Sequence, residues 1–189
     1  NKMTVKMAEE GEKFTTLDGV ERTLTSDMLV IGNQDKTLDL AGIMGGENSE
    51  IKDTTTSIFI EGASFAKENI RATSKKLGLR TEASSRFEKG IDINLAEEAV
   101  NRACQLIEEL GCGTVLNGML DYYPQKEEVQ KVTVNPVRIN KLLGVNVPMD
   151  QFINILESLE FKCNLVSSEV LELEVPTFRL DITEDADIL

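Results

Sequence analysis

Glycines with turn-forming neighbours recur through the first fifty residues, at Asp18 and Gly19, Gly32 and Asn33, and Gly45 and Gly46, and cut the chain into short pieces. What fits is a set of short strands, because each pair supplies the backbone freedom that a tight reversal needs. The intervening pieces agree. Residues 3–7 (MTVKM) alternate, 13–17 run into the first turn, 24–31 (LTSDMLVI) into the second, and 38–43 into the third. Residues 54–61 (TTTSIFIE), rich in β-branched side chains, predict one more strand with Glu61 at its end.

The pattern then changes period. Residues 65–77 place Phe65, Ile70 and Leu77 among good helix formers, and Gly78 is a C-terminal stop. A second helix is expected where Leu95, Ala99, Ala103, Leu106, Ile107 and Leu110 form one apolar stripe, with Asn94 as its cap and Gly111 as its end. Periodicity fails around 116–130, where Gly118, Pro124 and a charged run mark a linker. Beyond it, Asn135 and Pro136 open a short helix closed by Gly144. Asp150 caps another helix, built on Phe152, Ile153, Leu156 and Leu159, and 161–166 with 170–175 form a hairpin across Ser167 and Ser168. The expected class is α+β, an α/β-layered mixed-sheet domain at 1–118 with packed helices, a linker at 119–130, and a small α+β, winged-helix-like domain at 131–189.

Charge and residue counts narrow the chemistry. The 189 residues contain no histidine, which removes Ser-His-Asp and Cys-His catalysis and histidine-ligated zinc within this chain. Three cysteines without CxxC spacing argue against a disulfide framework, and a reducing cytoplasm suits them. No apolar run is long enough to cross a membrane, so a soluble protein is expected. Asn1 follows no signal sequence and the chain stops inside an acidic segment, so both ends read as cuts in a longer polypeptide. A formal net charge of −13 suits nucleic acid poorly, although Arg71, Lys75, Lys76, Arg80, Arg86 and Lys89 form one local basic group. On pattern alone most such groups are a solvated helix face plus loop.

Two stretches invite a ligand. Residues 41–47 (AGIMGGE) hold three glycines, which let backbone amides approach another group closely, and residues 78–90 (GLRTEASSRFEKG) gather charged and hydroxyl side chains between two glycines. Neither a P-loop nor a dinucleotide fingerprint matches, because no GK[ST] follows the glycine pair and the GxGxxG spacing is absent. A β-turn without a ligand explains the glycines as readily.

Four segments in order, GIMGGENSEI, FIEGASF, IRATSKKLGLRTEASSRFEKGID and VPTFRLDITEDAD, resemble the beta subunit of bacterial phenylalanyl-tRNA synthetase. The likeness covers most of that subunit's editing domain and most of its fifth module. It implies hydrolysis of tyrosine wrongly esterified to the phenylalanine tRNA, within an aminoacyl-tRNA ligase of two alpha and two beta subunits in the cytoplasm. Carried over residue by residue, it implies a substrate pocket of Gly42, Gly45, Glu61, Thr81 and Ala83. In that pocket Glu61 seeks the phenol hydroxyl, and Thr81 is the catalytic position that holds the ester for attack by water. It further implies that Asp181 and Asp187 are magnesium ligands shared with the alpha subunit, and that ATP is used by the whole enzyme elsewhere. That family also uses a histidine in a segment preceding the present first residue. A non-catalytic scaffold that binds tRNA and the alpha subunit is the alternative, and a hydrolase with its metal on Asp181 and Asp187 a weaker one.

Overall fold

The computed structural model describes residues 2–189, which divide into two compact units at the bond between Ile91 and Asp92. The class is α+β, as expected. Every strand ladder among the described residues is antiparallel; for the neighbours joined by only a few residues no other pairing is possible.

In the first unit, β1 (Thr4–Met7), β4 (Leu29–Gly32), β5 (Thr37–Leu40) and β6 (Met44–Gly45) form a four-stranded sheet in that order. The hairpin of β2 (Lys13–Thr15) and β3 (Glu21–Thr23) turns at Asp18 and Gly19. Leu24, Met28, Val30 and Leu40 are fully buried beside Phe14, Ile43 and Ile70, which comes from the helix α1 (Lys67–Leu77). Gly78 ends that helix in the left-handed conformation at φ 61°. A short helix follows immediately, α2 (Glu82–Phe87), inside a stretch that reads as a loop. It escapes a periodicity search because six residues give fewer than two turns. What starts it is a capping box, Thr81 with Ser84, and a buried Ser84 side chain that gives up no hydrogen bond.

The expected strand over 54–61 does not form. It pairs with no strand among the described residues, and Ile58 and Phe59 are exposed at 55% and 66%. Strand propensity measures the fit of a side chain to a neighbouring strand, and without that neighbour the composition of TTTSIFIE decides little.

In the second unit, α3 (Leu95–Glu109) forms where its stripe predicts, yet none of its residues is buried, and Leu95 and Leu110 are exposed at 50% and 73%. Asn94 does not cap it; its amide donates to the hydroxyl of Thr177 at 3.2 Å. The expected boundary at 118 lies downstream of the division at Ile91 and Asp92, so α3 falls in the unit after it. From residue 112 to residue 130 the backbone has neither helix nor strand. The remainder is a three-stranded sheet, β7 (Lys131–Val134), β9 (Val170–Glu174) and β8 (Lys162–Ser167) in that order, covered by α4 (Pro136–Leu143) and α5 (Met149–Ser158). Asn135 caps α4 by accepting from Arg138 N at 2.9 Å. Pro148, not Asp150, stands at the cap of α5, and Asp150 lies in the first turn, where a carboxylate suits the helix N-terminus. Val132, Val134, Phe152, Leu156, Leu171 and Leu173 make one continuous core with Ile182.

Candidate functional site

The turn after β5 is built around two glycines at which a side chain would collide with its neighbours. Gly42 has φ +67°, and a Cβ there would meet Phe65 Cδ2 at 2.8 Å and Ile70 Cδ1 at 3.0 Å. At Gly46 a Cβ would lie 2.7 Å from Phe14 Cζ and 2.8 Å from the carbonyl of Leu38. Gly45 is less demanding. The nearest atom to its Cβ position is Leu17 Cδ1, at 3.2 Å, with Asp39 Oδ1 at 3.8 Å. Close packing of the chain on itself thus explains two of the three glycines, and the third faces a carboxylate.

That turn and α2 are tied together by one hydroxyl. Thr81 Oγ1 donates to the carbonyl of Ile43 at 2.8 Å and accepts from Ser84 N at 3.0 Å, while Thr81 N donates to Ser84 Oγ at 2.9 Å. Phe87 at the end of α2 meets Phe65 edge to face, ring centroids 5.0 Å apart.

Between these pieces lies a hollow of about 340 Å³. Gly42, Ile43, Met44 and Gly45 supply one wall, Phe65, Ala83 and Phe87 the ring-bearing side, and Asp39, Glu61 and Ala63 complete it. Four of the five expected pocket residues, Gly42, Gly45, Glu61 and Ala83, therefore meet. Thr81 does not line the hollow; its hydroxyl proton is committed to Ile43, and it positions the turn against α2. A second hollow of about 360 Å³, between Glu12, Lys13, Asp35, Lys36 and Glu47, is walled by charges of both signs and contains none of the expected residues.

Asp39 is the residue that sequence reasoning missed. It lies on β5 directly opposite Gly45 on β6, and its only signal in the sequence is a carboxylate that interrupts the otherwise apolar stretch 38–43. Among the described residues no cation lies within 4.0 Å of either carboxylate. Protein surroundings raise Asp39 above the usual carboxylate range, and they raise Glu61 to about 7, with the neighbouring charge of Asp39 adding to the effect. Glu61 stands at the rim and is exposed to solvent. Partial solvation tempers the shift without changing its direction.

The acidic C-terminal pair is arranged differently. Asp181 is held by Arg179 through two bonds, Nε to Oδ1 at 2.9 Å and a terminal nitrogen to Oδ2 at 2.8 Å, and its pKa is lowered to about 2, chiefly by that pairing. Asp187 Oδ2 accepts from Thr183 N at 2.8 Å, Thr183 Oγ1 at 3.0 Å and Glu184 N at 3.0 Å. Magnesium needs near-octahedral oxygen coordination. A guanidinium-paired carboxylate and a capping carboxylate do not fit that ion as they stand.

Comparison with known proteins bears on both units. The family profile described as B3/4 domain matches residues 1–112, and that described as tRNA synthetase B5 domain matches 132–189. The phenylalanine–tRNA ligase beta subunit of Clostridium acetobutylicum is 46% identical over 188 residues, covering 100% of this chain and 24% of that protein. That of Geobacter metallireducens is 45% identical with the same coverage, and that of Listeria monocytogenes 40% identical over 188 residues. An N-terminal fragment of the phenylalanyl-tRNA synthetase beta subunit from Pyrococcus horikoshii aligns with 100% of this chain and 54% of its own, at TM-score 0.48 and 18% identity, too distant to carry residue assignments. The chain spans about a quarter (24%) of the length of the curated relatives it matches. With one profile over residues 1–112, a second over 132–189, and these identities along the full length, the chain belongs to the phenylalanine–tRNA ligase beta-subunit family, as a B3/4 domain followed by a B5 domain.

Proposed function

We propose that the hollow of the first unit is the editing site of a phenylalanine–tRNA ligase, where tyrosine wrongly joined to the phenylalanine tRNA is hydrolysed. The observation that supports this reading best is that Gly42, Gly45, Glu61 and Ala83 line one hollow with two phenyl rings. Phenylalanine and tyrosine differ by a hydroxyl. An enclosing site that favours tyrosine must offer that hydroxyl an acceptor, and Glu61 at the rim is one, its carboxylate giving a charge-assisted bond. A phenylalanine ring would cover the same carboxylate without satisfying it, at a cost of ~1–3 kcal/mol, or roughly tenfold or more in discrimination.

In the hydrolysis, water adds to the ester carbonyl, the bond from that carbon to the ribose oxygen breaks, and the departing oxygen takes a proton as the acid is released. The chain offers no partnered nucleophile, so positioning carries the rate. Thr81 contributes by fixing the turn of Gly42 and Ile43 against α2. The remaining partners are proposals of the same standing: an alpha subunit in an assembly of two alpha and two beta subunits in the cytoplasm, tRNA, and ATP and magnesium for the ligase reaction outside this chain.

The test is release of tyrosine from tyrosyl-tRNA by the complete synthetase carrying this segment. Release that disappears in Glu61→Ala supports editing; no release from the intact enzyme leaves the two units as a scaffold for the other subunit and the tRNA.

A further inference from the structure

The hollow lies at one end of a charged surface that the editing reading leaves unused. Residues 67–90 carry seven Lys and Arg against three Glu in a chain whose formal net charge is −13, whereas residues 131–189 carry five against ten Asp and Glu. Some of the seven are spent locally. Lys76 pairs with Asp27 at 3.0 Å, Arg80 with Glu88 at 3.8 Å and Arg86 with Glu82 at 2.9 Å. Lys67, Arg71 and Lys75 are exposed and, among the described residues, have no ion-pair partner within 4.0 Å.

These three stand four residues apart on α1, so they form a single stripe about 12 Å long. The helix turns Ile70, Thr73 and Ser74 inward, and the stripe has no part in that packing. Its first member is costly where it stands, because a cation in the first turn opposes the helix dipole, and neighbouring like charges four apart repel. Local stability thus gives no reason for it. The stripe begins two residues after Phe65, a wall of the hollow.

We propose that Lys67, Arg71 and Lys75 form a docking track for the phosphates of a single-stranded RNA end, which delivers an esterified terminus to the hollow. This rests on the reading of the hollow as an ester-hydrolysing site, where holding the strand behind raises the occupancy of a terminal ester. Charge complementarity selects the occupant: evenly spaced exposed cations suit a polyanion, and the acidic remainder of the chain repels one everywhere else.

The experiment uses the complete synthetase with Lys67→Gln, Arg71→Gln and Lys75→Gln combined, and tyrosyl-tRNA as the probe at several salt concentrations. Loss of three phosphate contacts should make the slope of log affinity against log salt shallower by about 2. KM for tyrosyl-tRNA should rise several-fold with kcat retained. Lys67→Gln alone should give about a third of the change in slope, and Arg71→Lys, which keeps the charge, should stay near wild type, so the track remains testable even if the triple variant folds poorly. An unchanged slope and KM would overturn it. So would a variant that binds tRNA normally but separates from the other subunit, since the stripe would then be a protein interface. Wild-type hydrolysis of a tyrosine ester of adenosine, which has no phosphate to hold, tests the hollow separately. If that ester survives while the tRNA slope still changes, the stripe binds RNA but the hollow takes no ester, and delivery to the hollow falls with the editing reading; if the ester is hydrolysed and the tRNA slope is unchanged, the editing reading stands and the track falls.

Discussion

The two units hold the same kind of side chain in opposite conditions. In the first, Asp39 and Glu61 share a hollow with no cation, and both are pushed toward their neutral forms. In the second, Asp181 is locked to Arg179 and Asp187 caps its own turn, and both are pulled toward the charged form. A carboxylate whose hydrogen-bonding capacity is already used contributes to structure. One left with unused capacity inside a hollow is available to a ligand, and the cost of holding it there is recovered only when something binds. Motif resemblance gives Glu61, Asp181 and Asp187 ligand-binding roles and passes over Asp39, whereas their surroundings divide them by unit.

Several substitutions would break or sharpen this contrast. The largest effect is expected from Ala83→Trp, which fills the hollow beside Phe87; hydrolysis of tyrosyl-tRNA by the complete synthetase should fall to background, and retained hydrolysis would move the site elsewhere. Next comes Glu61→Ala. It should reduce the preference for tyrosyl over phenylalanyl esters by roughly tenfold or more, read as a ratio of kcat/KM.

Gly46→Ala should lower the stability of the first unit by ~1–3 kcal/mol in denaturant unfolding, because the new methyl meets a backbone carbonyl and a buried ring. Gly45→Ala should cost less, its nearest neighbour being the movable end of Leu17. Thr81→Ala should cost ~1 kcal/mol through loss of the cap and should also slow hydrolysis, and Thr81→Ser, which keeps the hydroxyl, should restore both.

The smallest effects are in pH dependence, and they have opposite signs in the two units. Glu61 titrates higher in the folded state, at about 7 against an ordinary 4.5, so the stability linked to it is present at low pH and is lost as pH rises through that window. Its readiness to accept the phenol proton grows over the same interval. Asp181 titrates lower, at about 2 against an ordinary 3.8, so its contribution is present above 3.8 and is lost as pH falls toward 2. Carboxyl carbon NMR titration should show both, and Asp39→Asn should move the Glu61 midpoint downward while leaving Asp181 in place.

Much of the architecture was legible from local signals. The turn at Asp18 and Gly19, the helix stopped by Gly78 and the helix opened by Asn135 and Pro136 all lie where the residues point, since each depends on the conformational preference of one or two positions. The strand predicted over 54–61 and the burial of the α3 stripe failed for a shared reason. Both needed a surface to pack against, and propensity says nothing about whether one is present. The helix α2 was overlooked because a capping box, not periodicity, defines it.

At the site the division is similar. The residue types of the hollow could be proposed from the resemblance, because glycine, alanine and glutamate keep their chemistry wherever they stand. Only the tertiary structure decided that Asp39 joins Glu61, that the Thr81 hydroxyl is committed to Ile43, and that Arg179 already holds Asp181. The physical reason is that a polar group's availability depends on which partners and how much water surround it, and those are set by chain segments that meet only in the folded state.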